Sequence, residues 1–299
     1  MDRQEIPLPS AEKPKHMAER VQTNVTFIRP ARGWIAINLR DLWLYRELVY
    51  FLTWRDIKVR YKQALLGIGW AIFQPVLSMV IFTVIFNRFL GVKPDAGIPN
   101  EFYPIFGFAA LLPWQFFQGA LQRASISLVT NANLLTKVYF PRLIIPLSAV
   151  AAGLIDFVFS FLVLAAMMIY FGVPFTVRLL WLPLFLLLAL LAALAVGLWL
   201  SALNVQYRDV QHMVPFLLTA WMYASPVVYS AEVITVSPLW QAVYALNPMV
   251  GVIQGFRWAL FGTNPPGLSM LVSAVVVLVL FISGLFYFRR MERLFADMI

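Results

Sequence analysis

From about residue 68 onward the chain reads as long apolar runs separated by short polar or proline-bearing segments. Crossing a bilayer core takes about 20 apolar residues in a helix. Six runs answer to that requirement, at roughly 68–90, 103–128, 143–171, 179–203, 213–229 and 268–288. The second is interrupted by Pro104 and Pro113. The predicted fold class is therefore an all-α polytopic membrane protein with six transmembrane helices.

The pattern ahead of these runs is different. Residues 1–33 are polar, carry Pro7, Pro9, Pro14 and Pro30, and lack the apolar core of a cleavable signal peptide. They read as a flexible cytoplasmic tail. Over 34–62, Leu39, Leu42, Tyr45, Leu48, Val49 and Leu52 fall on one helical stripe. Arg40, Asp41, Arg46, Glu47, Arg55, Asp56, Lys58, Arg60 and Lys62 fill the other face. That pattern predicts an amphipathic helix lying in the membrane interface, with Trp43 and Trp54 at the same depth. A water-soluble helix packed on a partner fits the same pattern.

Two breaks between runs stand out. In Asn131–Pro146 (NANLLTKVYFPRLIIP), Asn131 or Asn133 can cap a short helix whose body is Leu134, Leu135, Lys137 and Val138. Pro141 stops it, because the residue before a proline is pushed out of the helical region. Arg142 then marks the return to lipid. Leu134, Leu135, Val138, Tyr139 and Phe140 make more apolar surface than a connecting loop should expose, so this segment is expected to be a docking knob; the alternative is a plain loop. The second break, 230–267, holds two apolar pieces, Leu239–Leu246 and Met249–Phe261, split by Asn247 and Pro248. Each is too short to cross. They are expected to be two re-entrant half-helices at 239–261, covered by protein, or else a loop lying flat on the outer surface.

Composition reinforces the membrane assignment: 61% of residues are hydrophobic and 12% charged, where soluble domains carry roughly 25% charged. Charge sets the orientation. Eighteen of the 23 Lys and Arg residues flank one side if the N-terminus is inside. Arg88, Lys93, Arg178 and Arg257 fall outside, and Arg123 lies within the second run. By the positive-inside rule both termini are expected in the cytoplasm, and the net charge of +9 answers to lipid and topology rather than to nucleic acid.

Candidate chemistry is sparse. There is no cysteine, the two histidines are His16 and His212, and no phosphate-cradling G-x-x-x-x-G-K-[ST] loop occurs. No catalytic residue and no metal site is expected, and any energy for uphill movement must come from another chain. Asp156 is the one acid deep in a run; it is either a proton site or neutralised by a partner such as Arg123 or by hydrogen bonds from a neighbouring helix. The turn into the first run joins Arg60, Tyr61 and Lys62 to Leu66 and Gly67. There, cations can hold a lipid phosphate and glycine permits close approach; simple anchoring is the plain alternative. Aromatics make up 15% of the chain. Trp70, Phe73, Phe82 and Phe86 recur in the first run, Trp114, Phe116 and Phe117 in the second, and Trp221, Tyr223 and Tyr229 in the fifth. Such rings suit a path for sugars, with Gln74, Asn87 and Gln115 adding hydrogen bonds, although rings are also ordinary packing.

The stretches WRDIKVRYKQALLGIGWAIFQP (54–75), LLPWQFF (111–117), NANLLTKVYFPRLIIP (131–146), LSALNVQYRDV (200–210), SPVVY (225–229) and ALNPMVGVIQGFRWALFG (245–262) resemble the ABC-2-type permeases that export polysaccharides and polyol phosphates, the membrane subunits for O-antigen, capsule and teichoic-acid precursors. The resemblance covers about 40–299. It implies a homodimer in the cytoplasmic (inner) membrane, with two copies of a cytoplasmic ABC ATPase that binds the ATP and Mg; this chain itself would bind no cofactor. It implies that Asn133, Leu134, Leu135, Lys137, Val138, Tyr139, Phe140 and Arg142 couple to the ATPase. Arg60, Tyr61, Lys62, Leu66 and Gly67 would meet the lipid-linked phosphate, and 39–60 would be the interface helix. Trp70, Phe73, Gln74, Phe82, Trp221 and Tyr223 would line a central path closed outside by 239–261. Two other readings are an ABC-2 permease for a small lipid or drug, and a membrane-embedded glycosyltransferase, which would need clustered acids that the sequence lacks.

Overall fold

In the computed structural model the described residues are 39–62, 69–230, 238–265 and 267–295. The expected tail, the first residues of the amphipathic segment, and Leu66 and Gly67 lie outside them. Among the described residues the regular elements are all helical. Four helices of the described residues are long and apolar enough to cross a membrane: Gly69–Phe89, Ile144–Phe171, Val177–Gln206 and Leu268–Glu292.

The amphipathic segment forms α1 (Leu39–Leu44) and α2 (Arg46–Lys62), separated by a turn at Tyr45. Leu42, Tyr45, Leu48 and Val49 are half-buried against the core and Leu52 is buried. The i, i+3, i+4 stripe therefore does what the spacing requires, leaving Trp43 and Trp54 exposed.

Helix α3 (Gly69–Phe82) runs on into a π-helical stretch, Thr83–Phe89, and carries Pro75 inside it. Helix α4 (Tyr103–Thr130) is the centre of the molecule. It packs on α3, α6, α7, α8, α9 and α11, and side chains from Ile105 through Leu128 line the core. Three glutamines and Arg123 make it less apolar than the four crossing helices, yet it is the best covered. The short α5 (Ala132–Lys137) follows directly.

The third run is helical throughout, Ile144–Phe171. Its two parts, α6 (Ile144–Ala151) and α7 (Gly153–Phe171), join at Ala152, whose backbone stays helical (φ −59°, ψ −24°) and whose N–H still donates to Ser148 O at 2.9 Å. Helix α7 ends on Gly172 in the left-handed conformation, φ 68°, where glycine carries no steric penalty. A 3₁₀ turn, Val177–Trp181, leads into α8 (Leu182–Gln206). The fifth run forms α9 (Val210–Tyr223), which stops six residues short of the predicted end. Pro226 follows, and Ser225 before it is steered out of the helical region. At 14 residues and 1.5 Å per residue, α9 alone is shorter than a bilayer core. Helices α10 (Pro238–Ala245) and α11 (Pro248–Phe261) come next, and α12 (Leu268–Glu292) packs on α8 and α11.

Candidate functional site

Three groups of side chains organise the molecule, two at the Thr130 end of α4 and one at the Tyr103 end.

The first is the knob. Asn131 precedes α5, but its side chain does not cap it. Its Nδ2 donates to Ser127 O at 2.9 Å, and its Oδ1 accepts from Arg55 Nη2 at 2.7 Å. The predicted capping by Asn131 thus gives way to a link with α2. Val138 and Tyr139 stand out, Tyr139 at 76% exposure, and Asn133 and Lys137 are exposed. Leu134 and Leu135 are half-buried against the core. Phe140 is buried, contrary to its expected place on the exposed knob, because the extended turn before Pro141 folds its ring inward against the core. Arg142 faces the last turn of α12: its Nη1 donates to Glu292 O, its backbone N–H to Glu292 Oε1 at 3.3 Å, and its guanidinium lies 5.8 Å from the centre of the Phe295 ring. Leu135, Thr136, Arg142 and Phe295 line a cavity of about 280 Å³ beside the knob. Nothing in the local pattern of 289–295 signals this contact.

The second group surrounds Asp156. Arg60 Nη1 and Tyr61 OH, both from α2, donate to its two carboxylate oxygens. Arg123 Nη1 from α4 adds a longer contact at 3.4 Å, and its Nε reaches Ala149 O. Arg123 is therefore one partner, as its sequence position suggested, while Arg60 and Tyr61 are the closer ones. Gly153 makes room for Arg123: a Cβ there would fall on the guanidinium. Burial, helped by the hydrogen bond to Asp156, pushes the Tyr61 phenol up to about 12, so it remains a donor at neutral pH. Lys62 is exposed.

The third group holds the non-helical turn after α9. Arg257, on α11, is buried at 1% exposure. Its Nη1 donates to Tyr229 O at 3.1 Å and its Nη2 to Val227 O at 3.2 Å, with the guanidinium 3.7 Å from the Phe106 ring centre. Tyr103 OH donates to Val228 O at 2.8 Å. Asn247 caps α11 by accepting from Met249 N, with Pro248 in the first turn. The same Oδ1 accepts from Trp221 Nε1 at 2.9 Å, while Nδ2 donates to Ser225 Oγ. Backbone groups that a break in a helix would orphan are thus paired. Trp221, Ala224, Trp240, Val243, Tyr244 and Asn247 line a cavity of about 330 Å³ here. The sequence placed Arg257 outside as a charge for topology; its burial comes from the carbonyls it collects.

The expected path residues are not gathered on one surface of this chain. Trp70, Phe73 and Gln74 are exposed on α3, and Tyr223 is exposed on α9. Phe82 stacks on Phe86 at 5.4 Å, and Trp221 meets the edges of Trp114 and Phe117, both packed against the core. Helices α3 and α9 each lie on α4, α3 also against α7 and α9 also against α8.

Long apolar helices, a proline-broken pair of short ones with their backbone groups paired, and an exposed knob define a helical membrane protein. Sequence comparison is more specific. The profile of the ABC-2 type transporters matches residues 47–261. The O-antigen export system permease protein RfbA of Myxococcus xanthus is 33% identical over 257 residues, 85% of this chain and 96% of that protein. The RfbA protein of Klebsiella pneumoniae is 28% identical over 256 residues, 85% and 95% respectively. The inner membrane transport permease YadH of Escherichia coli K12 is 29% identical over 216 residues, 70% and 81%. The chain belongs to the ABC-2 type transporter family.

Proposed function

We propose that this chain is the permease subunit of an ATP-driven exporter that carries a lipid-linked polysaccharide or polyol-phosphate polymer across the cytoplasmic membrane. The observation that carries the reading is the 33% identity to an O-antigen export permease across 96% of that protein's length. A chain without a nucleotide-binding loop needs an ATPase partner, which would hold ATP and Mg, and the knob at 131–140 with Arg142 behind it is the surface proposed to receive that partner. The subunit would cross the membrane six times with both termini inside, α9 and the turn after it forming one crossing and α10 and α11 a re-entrant pair on the outside. The apolar side chains left open on α3 and α9 favour a homodimer in which Trp70, Phe73, Gln74 and Tyr223 face a shared path. In that arrangement Phe82 and Trp221 support the path from behind. Arg60, Tyr61 and Lys62, with Leu66 and Gly67, would meet the lipid-linked phosphate.

Purification of the tagged chain from its native membranes tests the reading. A stoichiometric nucleotide-binding subunit should accompany it and be lost in Lys137→Glu and Tyr139→Ala, with both variants still in the membrane. Export that survives both changes would remove the knob from its coupling role. A folded permease that brings no ATPase would remove the exporter reading.

A further inference from the structure

The cluster around Asp156 has more cations than anions. Two guanidiniums and a phenol, from α2 and α4, converge on one carboxylate of α7. Side chains of Arg60, Asp156 and Arg123 are 31%, 32% and 27% exposed, so the cluster opens to its surroundings. Arginine forks fit carboxylate and phosphate oxygens alike. Asp156 therefore occupies the position that an oxygen of a phosphate group would take among the same donors.

The donors are also mechanically connected to the knob. Five residues before Arg60 on the same helix, Arg55 holds Asn131, the residue that opens α5. Helical rise places these two clamps roughly 7.5 Å apart on one 17-residue rod, whose body also packs along α6. Whatever frees or turns the Lys62 end of α2 shifts the Arg55 contact as well.

We infer that Arg60, Tyr61 and Arg123 form a phosphate site that Asp156 fills at rest, and that a substrate's phosphate or diphosphate displaces Asp156, releases α2 from α7 and signals to the knob through Arg55 and Asn131. The inference rests on the proposed export of a phosphate-linked lipid and adds how its arrival is sensed. Asp156 is then a positioning residue, an internal competitor for the site.

The absence of cysteine permits a direct test. Val59 on α2 and Val158 on α7 are exposed, and Val59→Cys with Val158→Cys takes a pair of spin labels. The labelled permease is reconstituted with its ATPase in vesicles, and the inter-label distance is measured without additive, with a polyprenyl diphosphate in the bilayer, and with inorganic phosphate in solution. The lipid should shift the distribution to longer distances and stimulate ATP hydrolysis several-fold. A shift with the lipid alone assigns the site to a headgroup, and an equal shift with inorganic phosphate assigns it to free anions. Asp156→Asn in the labelled background should show the longer distance without lipid and lose the stimulation; Arg60→Gln should show the longer distance and not respond. A complex that hydrolyses ATP and exports, with one distance under all three conditions, overturns the latch and leaves the exporter reading standing. A complex with neither hydrolysis nor export fails the exporter reading itself.

Discussion

Helices α8 and α3 are both rich in apolar residues, yet they end in opposite situations. On α8, Phe185, Ala189, Ala192, Ala193, Ala195 and Leu198 are buried. On α3, Pro75 is buried while Trp70, Ile72, Phe73, Leu77, Val80 and Ile81 are exposed. Helix α9 resembles α3, with Met213, Phe216, Leu217 and Tyr223 in the open. The difference is side-chain size. Between helices in lipid there is no hydrophobic drive to associate, and close packing decides. Small residues let α8 approach its neighbours: a Cβ added at Gly197 would meet Ala124 Cβ at 2.8 Å, and one at Gly284 would meet Ala195 O at 2.7 Å. Helix α11 follows the same rule, with Gly255 against the Phe185 ring. The bulky faces of α3 and α9 are left for lipid or for a second subunit.

The largest effect should come from spoiling a close approach. Gly284→Leu drives a side chain into the α8 backbone and into Trp199. We expect a loss of more than about 4 kcal/mol, read as disappearance of the monodisperse peak in detergent. A wild-type melting curve would break the comparison at its base. Arg257→Ala should cost about 3 kcal/mol, since two charge-assisted hydrogen bonds to Val227 and Tyr229 carbonyls are removed from a buried site. A thermal melt in detergent reads the loss, and proteolysis should become easier near 225–230 first.

Tyr139→Ala tests a surface rather than a core. The exposed ring should matter to the partner and not to the fold, at about 2 kcal/mol of binding, or roughly thirtyfold in affinity for the ATPase. Its melting temperature should equal the wild type's; a lowered one would move Tyr139 to the packed side of the comparison. The smallest effect on stability belongs to Phe73→Ala and Phe216→Ala. Each should stay within about 0.5 kcal/mol while weakening self-association or export. A large loss of monomer stability in either would mean that the open faces are covered within the chain.

Much of the molecule was readable in advance, for a local reason. Run lengths marked where apolar helices lie, the stripe from Leu42 to Leu52 marked the face of α2 that packs, and Asn247 with Pro248 marked the start of α11. Each depends on neighbours within a few residues. The misreadings share another cause. Asn131 had the chemistry of a cap but found Arg55, 76 positions away. Phe140 belonged to an apolar knob but turned into the core.

Sequence alone determined that this chain must live in lipid, where its long apolar runs lie, and that it carries no nucleotide loop of its own. Those are statements about composition and spacing, where the free energy belongs to each residue and its near neighbours. Tertiary structure decided the partners of the few charges placed among apolar helices. Asp156 draws Arg60 and Tyr61 across 96 and 95 positions, and Arg257 collects two carbonyls from a turn about 30 residues earlier. A charge removed from water must be paired, but the sequence states only the need; the packing of α2, α4, α7 and α11 supplies the partner.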